Sequence, residues 1–304
     1  MDSYSIFQQP WWLDAVAPGQ WDAVEVERGG ETAAWLPFVV KKRLGLRLLT
    51  QPALTQSLGP WIKDTGAGHT KALGREMSLY KELIGKLPQF DIFQQNFAPQ
   101  VTNWLPFYWQ GFTQTTRYTY TIDLSRDLEQ LFADMDKRNR RQLRDAEREI
   151  YGESADDLRE LLVLNDKTFE RQGMKTPYTH AYVHQIDAAA REHAQRWIIL
   201  ARDRKTGQAL AGIYMIGFQG RVYSLFSGVD PASRAKNPGI VARWEAIKQA
   251  KSYGTILDLQ GSMLEGVERR NRNYGATQSP YFAMSKADGF GKLALTGRRL
   301  LRGF

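Results

Sequence analysis

The sequence predicts an α/β (α+β) chain of two tandem units, each a mixed sheet flanked by helices. Three observations predict it. The length of 304 residues suggests two domains, each of about 150 residues. Short runs with period-two alternation are interleaved with stretches whose apolar residues recur every three or four positions. The two halves share a plan, a strand-rich start followed by helix and strand, without repeating each other in sequence. The boundary is expected after Leu124, giving units 1–124 and 125–304.

In the first unit Trp11, Trp12, Trp21 and Trp35 read as core. Strands are expected over 24–27 and 32–40 about a Gly29-Gly30 turn, with a third over 46–49. Leu73, Met77, Tyr80, Leu83 and Ile84 have helical spacing and predict a helix over 66–87. Strands over 90–95 and 117–124 flank an aromatic cluster, 104–112. That cluster is expected to be core or groove wall, because no base-stacking signature surrounds it.

In the second unit Ser125 is expected to cap a helix running to about Ile150, with Asp127 and Glu129 in its first turn. Ser154 and Asp157 form a capping-box pattern before a second helix. A third follows over 179–193, after the breakers Gly173 and Pro177. Strands are expected over 197–202, 209–218 and 221–229, with turns at Lys205-Thr206-Gly207 and Gln219-Gly220. A helix over 239–253 leads into a strand over 255–259. The tail, 291–304, is basic and expected to fray.

Composition narrows the chemistry. The chain has no cysteine and four histidines. This excludes disulfides, thiolate metal sites and cysteine nucleophiles, gives a Ser-His-Asp triad little support, and fits a reducing, cytoplasmic setting. The N-terminal residues lack the basic and apolar segments of a signal peptide. No apolar run approaches the roughly 18 residues of a membrane span. A net charge of +8 and a pI near 9.5 favour anionic partners: nucleotides, CoA, tRNA, nucleotide-sugars or anionic lipid heads. A solvated basic surface is the plainer reading of the same charge.

The stretch 256–286 organises the rest. It carries Asp258 in an otherwise apolar strand, a turn at Gln260-Gly261-Ser262, a charged helix from Glu265, and a second strand near Tyr281-Phe282. Polar groups at a strand end are where α/β proteins build sites. An acid within a buried strand is costly unless it is paired or used. Asp258 and Glu265 are therefore candidate general bases toward an amine, Asp258 being equally readable as a buried acid paired to an arginine.

The loop 230–239 follows a strand and feeds a helix. Its free backbone N–H groups, with Arg234 and Lys236, suit a phosphate or carbonyl oxygen, although it is neither a Walker A loop nor G-x-G-x-x-G, and a polar connector fits as well. Arg138, Arg141 and Arg144 recur at three and could offer one stripe to phosphates, against the reading of a solvated helix with i,i+4 pairs. His180 and His184 have metal-ligand spacing, but no zincin glutamate follows, so a surface role is expected and no metal.

These residues resemble the FemAB-like branch of the GNAT superfamily. The resemblance rests on Leu257-Asp258-Leu259-Gln260-Gly261-Ser262-Met263, Gly266-Val267-Glu268, Tyr274-Gly275-Ala276 and Pro280-Tyr281-Phe282. Upstream, Thr55-Gln56-Ser57-Leu58-Gly59-Pro60, Asn103-Trp104-Leu105-Pro106-Phe107 and Thr168-Phe169-Glu170-Arg171-Gln172-Gly173 are similar too. Their order spans nearly the whole chain. Leu259 and Gln260 stand where that family carries an aromatic and a second acid.

The resemblance implies two tandem GNAT-like domains and an N-acyltransferase, moving an acyl group from acyl-CoA, as co-substrate, to an amine of a small-molecule or nucleotide-linked cell-envelope precursor. Aminoacyl-tRNA is the alternative donor. A catalytically degenerate basic binding module is the non-enzyme alternative, and peripheral contact with an anionic lipid-linked precursor is a further expected partnership. On this reading Asp258, Glu265 or Tyr223 handles the amine proton. Arg234, Lys236, Gly239 and Ile240 hold the donor. Arg138, Arg141, Arg144, Gly261 and Ser262 lie against the acceptor.

Overall fold

The computed structural model describes residues 2–287, in two units. The tail 291–304 lies outside the described residues. The first unit runs to Arg117 and regains the chain from Pro280; the second is Tyr118–Ser279. This differs from a cut after Leu124 followed by one continuous unit. The last strand returns to the first unit because its residues Ala283–Ala287 pair with Ile92–Asn96.

The first unit begins with helix α1 (Pro10–Val16) and strands β1 (Trp21–Arg28), β2 (Glu31–Arg43) and β3 (Leu46–Thr50). Both connecting turns use positive φ: Gly29 and Gly30 at 62° and 80°, Leu44 and Gly45 at 51° and 77°. Two such residues in succession match the right-handed twist of the flanking strands. The short strand β4 (Trp61–Ile62) pairs with Ala34 and Trp35 of β2, while β3 pairs with β2 only from Val39 onward. Pro37 falls in the gap between these partners, where its missing N–H breaks no ladder bond. Its carbonyl accepts from the Gln95 amide at 2.9 Å.

Helix α2 (His69–Lys86), strand β5 (Ile92–Asn96) and helix α3 (Leu105–Trp109) complete this unit before strand β6 (Thr113–Asp123) carries the chain across the boundary. The sheet order is β1-β2-β3-β5, then the end of the last strand. Its core joins apolar strand faces to Tyr80, Phe97, Phe107 and Phe112; of the aromatic cluster Phe107 and Phe112 are core and Trp104 packs against it, whereas Tyr108 and Trp109 are exposed.

The second unit departs from the expected long helix. Its first helices are α4 (Leu128–Asp134) and α5 (Lys137–Ala146), and 150–155 is strand β7 (Ile150–Ala155). Asp127, not Ser125, caps α4, in a reciprocal capping box with Gln130. Asp136 accepts from the Arg138 N–H at 2.9 Å and starts α5 afresh, because an N-cap carboxylate satisfies donors that a continuous helix would have used internally. Ser154 lies within β7, so it caps nothing; helix α6 (Arg159–Glu170) has no side-chain cap.

Helix α7 (His180–His193) is capped by Thr179, and strands β8 (Gln195–Asp203), β9 (Ala209–Phe218) and β10 (Arg221–Val229) follow, the last two joined through Gln219-Gly220 at positive φ. Helix α8 (Pro238–Lys251), strand β11 (Ile256–Asp258), helix α9 (Glu265–Arg272) and strand β12 (Thr277–Ala287) end the described chain. The sheet order in this unit is β6-β11-β10-β9-β8-β7. All its pairs are antiparallel except β10 with β11.

The parallel pair is short. It covers Arg221–Tyr223 against Ile256–Asp258, and β10 then runs on to Val229 without β11. A register shift in β10 between Ser224 and Phe226 falls where the two strands part. Such a bulge bends its strand, and it opens the region in which the candidate site lies. No described helix is long and apolar enough to cross a membrane.

Candidate functional site

Beyond the bulge, the second unit encloses a cavity of about 480 Å³. Its floor is Ala211–Ile213 of β9 and Ser227–Val229 of β10, and one wall is the start of α8. Asn237, in the left-handed region, precedes Pro238, and no side chain caps α8. Gly239 and Ile240 of its first turn line the cavity. Pro238 has no N–H and the Ile240 N–H donates to the Asn237 carbonyl at 3.1 Å, so the start of α8 offers the Gly239 N–H and the positive end of the helix dipole.

Five arginines line this space: Arg138, Arg234, Arg243, Arg269 and Arg270. Among the described residues no aspartate or glutamate does. Arg269 is paired with Glu265 at 2.6 Å. The other four have no carboxylate within 4 Å among the described residues. Arg243 is packed beneath the cavity, where its Nη1 donates to Ser224 Oγ at 2.9 Å. Burial, with Arg270 nearby, pushes its guanidinium down to about 10, against the pull of Tyr274. It stays charged at neutral pH, but its charge is poorly compensated, and an anion would relieve that. Tyr274 also lines the cavity, and burial raises its hydroxyl above the usual phenol value, so it is held protonated.

One strand edge beside the cavity is occupied. The Asn165 amide donates to the Ser227 carbonyl at 2.8 Å, and the Val229 N–H donates to Thr168 Oγ1 at 2.9 Å. Helix α6 comes so close that a Cβ on Gly228 would stand 2.3 Å from the Asn165 nitrogen. Glycine is required there by the approach of one backbone to another.

Of the expected donor residues, the structure brings Arg234, Gly239 and Ile240 to the cavity, and Arg138 joins them from the expected acceptor set. Lys236 is directed elsewhere, to Asp203 at 2.8 Å and Glu149 at 3.1 Å. Arg141 pairs with Asp145 at 3.7 Å, and Arg144 lies over the Phe132 ring at 5.1 Å; neither lines the cavity. The three-residue stripe is split because α5 is short and its successive turns face different neighbours.

The expected proton-handling residues also lie apart from it. Asp258 is buried; Thr119 Oγ1 donates to it at 2.6 Å, Arg221 Nη1 at 3.1 Å and the Gln260 N–H at 3.0 Å. Burial raises its pKa, opposed by these donors. This is the paired buried acid that the sequence offered as its second reading. Tyr223, one residue before the bulge, lies with its ring 5.9 Å from the Arg221 guanidinium carbon. Glu265 is exposed and paired with Arg269. Gly261 packs on backbone: a Cβ there would stand 1.6 Å from the Tyr118 oxygen. Ser262 Oγ accepts from the Leu264 N–H at 3.1 Å.

Arg243, Arg269, Arg270 and Tyr274 were not singled out from the sequence. Arg243 sits in the middle of α8, Arg269 and Arg270 belong to the charged run of α9, and Tyr274 follows it. Only the folding of α8 and α9 around one space converges them. Among the described residues no group of three or more His, Asp or Glu could hold a metal. His180 Nε2 instead meets Asp166 at 2.6 Å.

Comparison with known proteins agrees with this geometry. Residues 132–261 match the family model described as acetyltransferase (GNAT) domain. No curated protein matches the chain in sequence. Among solved structures, FemX superposes with a TM-score of 0.68 at 15% identity, over 91% of this chain and 92% of that one. L-PGS from Bacillus licheniformis gives 0.57 at 12% identity, over 91% and 86%. A tandem GNAT protein from the clavulanic acid biosynthesis pathway gives 0.54 at 11%, over 88% and 83%. At these identities the likeness is one of fold. Residues 132–261 thus match a GNAT acetyltransferase domain model, and the chain shares the fold of FemX and of a tandem GNAT protein.

Proposed function

We propose that the protein is an N-acyltransferase that takes its acyl group from an anionic activated donor, acyl-CoA, and delivers it to an amine of a cell-envelope sugar or peptide precursor in the cytoplasm. The observation that carries this reading is the cavity of the second unit. Its arginines and uncapped helix suit a pyrophosphate, each Arg–phosphate contact being worth about 1.5–3 kcal/mol. Most of its lining falls within the residues that match the GNAT domain, while Gly266, Arg269, Arg270, Asn273 and Tyr274 lie beyond them.

The chemistry needs no covalent intermediate, which agrees with a chain lacking cysteine. The amine nitrogen attacks the donor's carbonyl carbon. The carbon–sulfur bond breaks, the thiolate takes the proton of the Tyr274 hydroxyl, the amine gives its proton to water, and a proton from water returns to the Tyr274 oxygen. A phenol raised by burial is suited to hold that proton until the leaving group forms. Asp258, held by three donors, keeps the start of the 260–264 turn in place and acts on the reaction through that turn.

A second reading, aminoacyl-tRNA as donor, is favoured by the occupied edge of β10. The Ser227 carbonyl and Val229 N–H are already bonded to Asn165 and Thr168. A pantetheine arm laid along that edge would have to displace both contacts, whereas a tRNA 3′ end needs the arginines alone.

Thermal-shift measurements separate the readings. A ligand at a hundred times its Kd stabilises by about 2.7 kcal/mol. Stabilisation by CoA thioesters, lost in Arg243→Gln, supports the first reading. Stabilisation by aminoacyl-tRNA without any from CoA thioesters replaces it with the second. Stabilisation by neither, with retained binding of nucleic acid, leaves a basic binding module and ends the transferase reading.

A further inference from the structure

The first unit has a basic pocket of its own, independent of the transferase reading. It has a volume of about 600 Å³ and lies where the start of β3, the end of α2 and the residues after α3 meet. Three cations line it: Arg47, Lys81 and Lys286. None has a carboxylate within 4 Å among the described residues. The one acid in the lining among the described residues, Asp91, spends its Oδ2 on the Arg47 backbone N–H at 2.7 Å. The buried Arg47 Nε has no hydrogen-bond partner. Lys81 lies over the Trp109 ring at 5.1 Å, and Lys286 over the Phe112 ring at 5.3 Å. Cations placed on aromatic faces rather than on carboxylates keep their charge available to an anion.

The rim of the pocket is apolar where a soluble protein has least reason for it. Three residues before Arg47, the β2–β3 turn puts Leu44 at its tip, 93% exposed and at a positive φ of 51°. A leucine in that conformation is strained, and asparagine or glycine is the ordinary occupant. Burial gives nothing back for the strain. Lys41, Lys42 and Arg43 are exposed beside it. On the α3 side, Leu105, Tyr108 and Trp109 are each about half exposed, next to Gln110 and Phe112 of the pocket lining. Single exposed apolar residues are common on surfaces. Here they flank a pocket of unpaired cations, the pattern of a face that meets both a charged headgroup layer and the chains beneath it.

We infer that this end of the first unit docks on an anionic membrane surface, seating one headgroup phosphate between Arg47 and Lys286 while Leu44, Tyr108 and Trp109 enter the interface. Charge complementarity selects the anionic bilayer as occupant. The test uses the full chain, sedimented with phosphatidylcholine vesicles, with and without phosphatidylglycerol. Binding is expected only when phosphatidylglycerol is present. Arg47→Gln is expected to weaken it about fivefold, the effect of one basic residue at such a surface. Leu44→Ser is expected to weaken it about tenfold through loss of an inserted side chain. Lys175→Gln, which removes an exposed charge of the second unit, is expected to leave it within about twofold. Equal loss in Arg47→Gln and Lys175→Gln would reduce the effect to net charge and overturn the inference. So would unchanged binding in Leu44→Ser, no binding to phosphatidylglycerol vesicles, or full competition by glycerol 1-phosphate at concentrations below that of the lipid.

Discussion

The Arg243 guanidinium donates to the Ser224 hydroxyl at 2.9 Å, directly before the bulge that ends the parallel pairing of β10. That neutral hydroxyl is a weak partner for a buried cation, so the charge remains available to a ligand. Arg243→Gln is therefore expected to weaken binding of the donor by about tenfold to a hundredfold, the loss of one charge-assisted contact. Because the substitution also removes an underpaired buried charge, the thermal midpoint of the free protein should stay level or rise. Isothermal titration with CoA thioesters beside a melting curve checks both signs. A fall in stability with unchanged affinity would make Arg243 a packing residue.

Lys236 offers the opposite expectation. It is bound to Asp203 and Glu149, and with the N–H groups of Lys205 and Thr206 it holds the Asp203 carboxyl at about 2. Lys236→Ala should leave donor affinity within about twofold. It should make stability fall earlier on acidification. A carboxylate depressed in the folded state stabilises above its unfolded value and loses that contribution as pH falls through the folded one; without Lys236 the loss begins at higher pH. Urea titrations across the acidic range read this directly.

Asp258 has the reverse sign. Burial raises its pKa in the folded state. Its contribution is present below the ordinary carboxylate value and is lost as pH rises through the raised one. Asp258→Asn keeps an oxygen for Thr119 and the Gln260 N–H but cannot titrate. The stability of the native protein relative to this variant should therefore decline as pH rises through that window. Turnover that keeps its pH profile in the variant would identify Asp258 as structural. A profile that loses one limb would restore it as the base.

Gly261→Ala tests why the strand-end turn carries glycine. A Cβ 1.6 Å from a backbone oxygen cannot be accommodated by a side-chain rotation. A cost of about 3 kcal/mol or more is expected, with the 260–264 turn displaced. Chemical denaturation measures it. A near-neutral effect would show that the turn is free to move.

A buried network in the same unit sets the scale for comparison. Asp187 takes Arg191 at 2.9 Å, Arg196 at 3.2 Å and the Tyr214 hydroxyl at 3.0 Å. Asp187→Ala leaves the buried Tyr214 hydroxyl without its acceptor while Arg191 and Arg196 keep Asp156, and should cost about 1–3 kcal/mol, read by chemical denaturation, without touching donor affinity.

The sequence alone determined what local physics controls. Gly29-Gly30 and Gln219-Gly220 fixed their hairpins, apolar periodicity fixed α2, and the acid buried in β11 was legible as one needing a partner. Arg234, Gly239 and Ile240 were legible because a loop entering a helix exposes N–H groups wherever it occurs. The tertiary structure decided the rest. Of the three arginines on α5 only Arg138 reaches the cavity, Arg141 turning to Asp145 and Arg144 to the Phe132 ring, and the return of β12 moved the unit boundary. Arg243, Arg270 and Tyr274 met in one cavity although nothing in their spacing announces it. The reason is range: caps, turns and periodicity act over a few residues, whereas convergence of charge depends on which helix faces pack together, and that is settled only when distant parts of the chain bury their apolar surface.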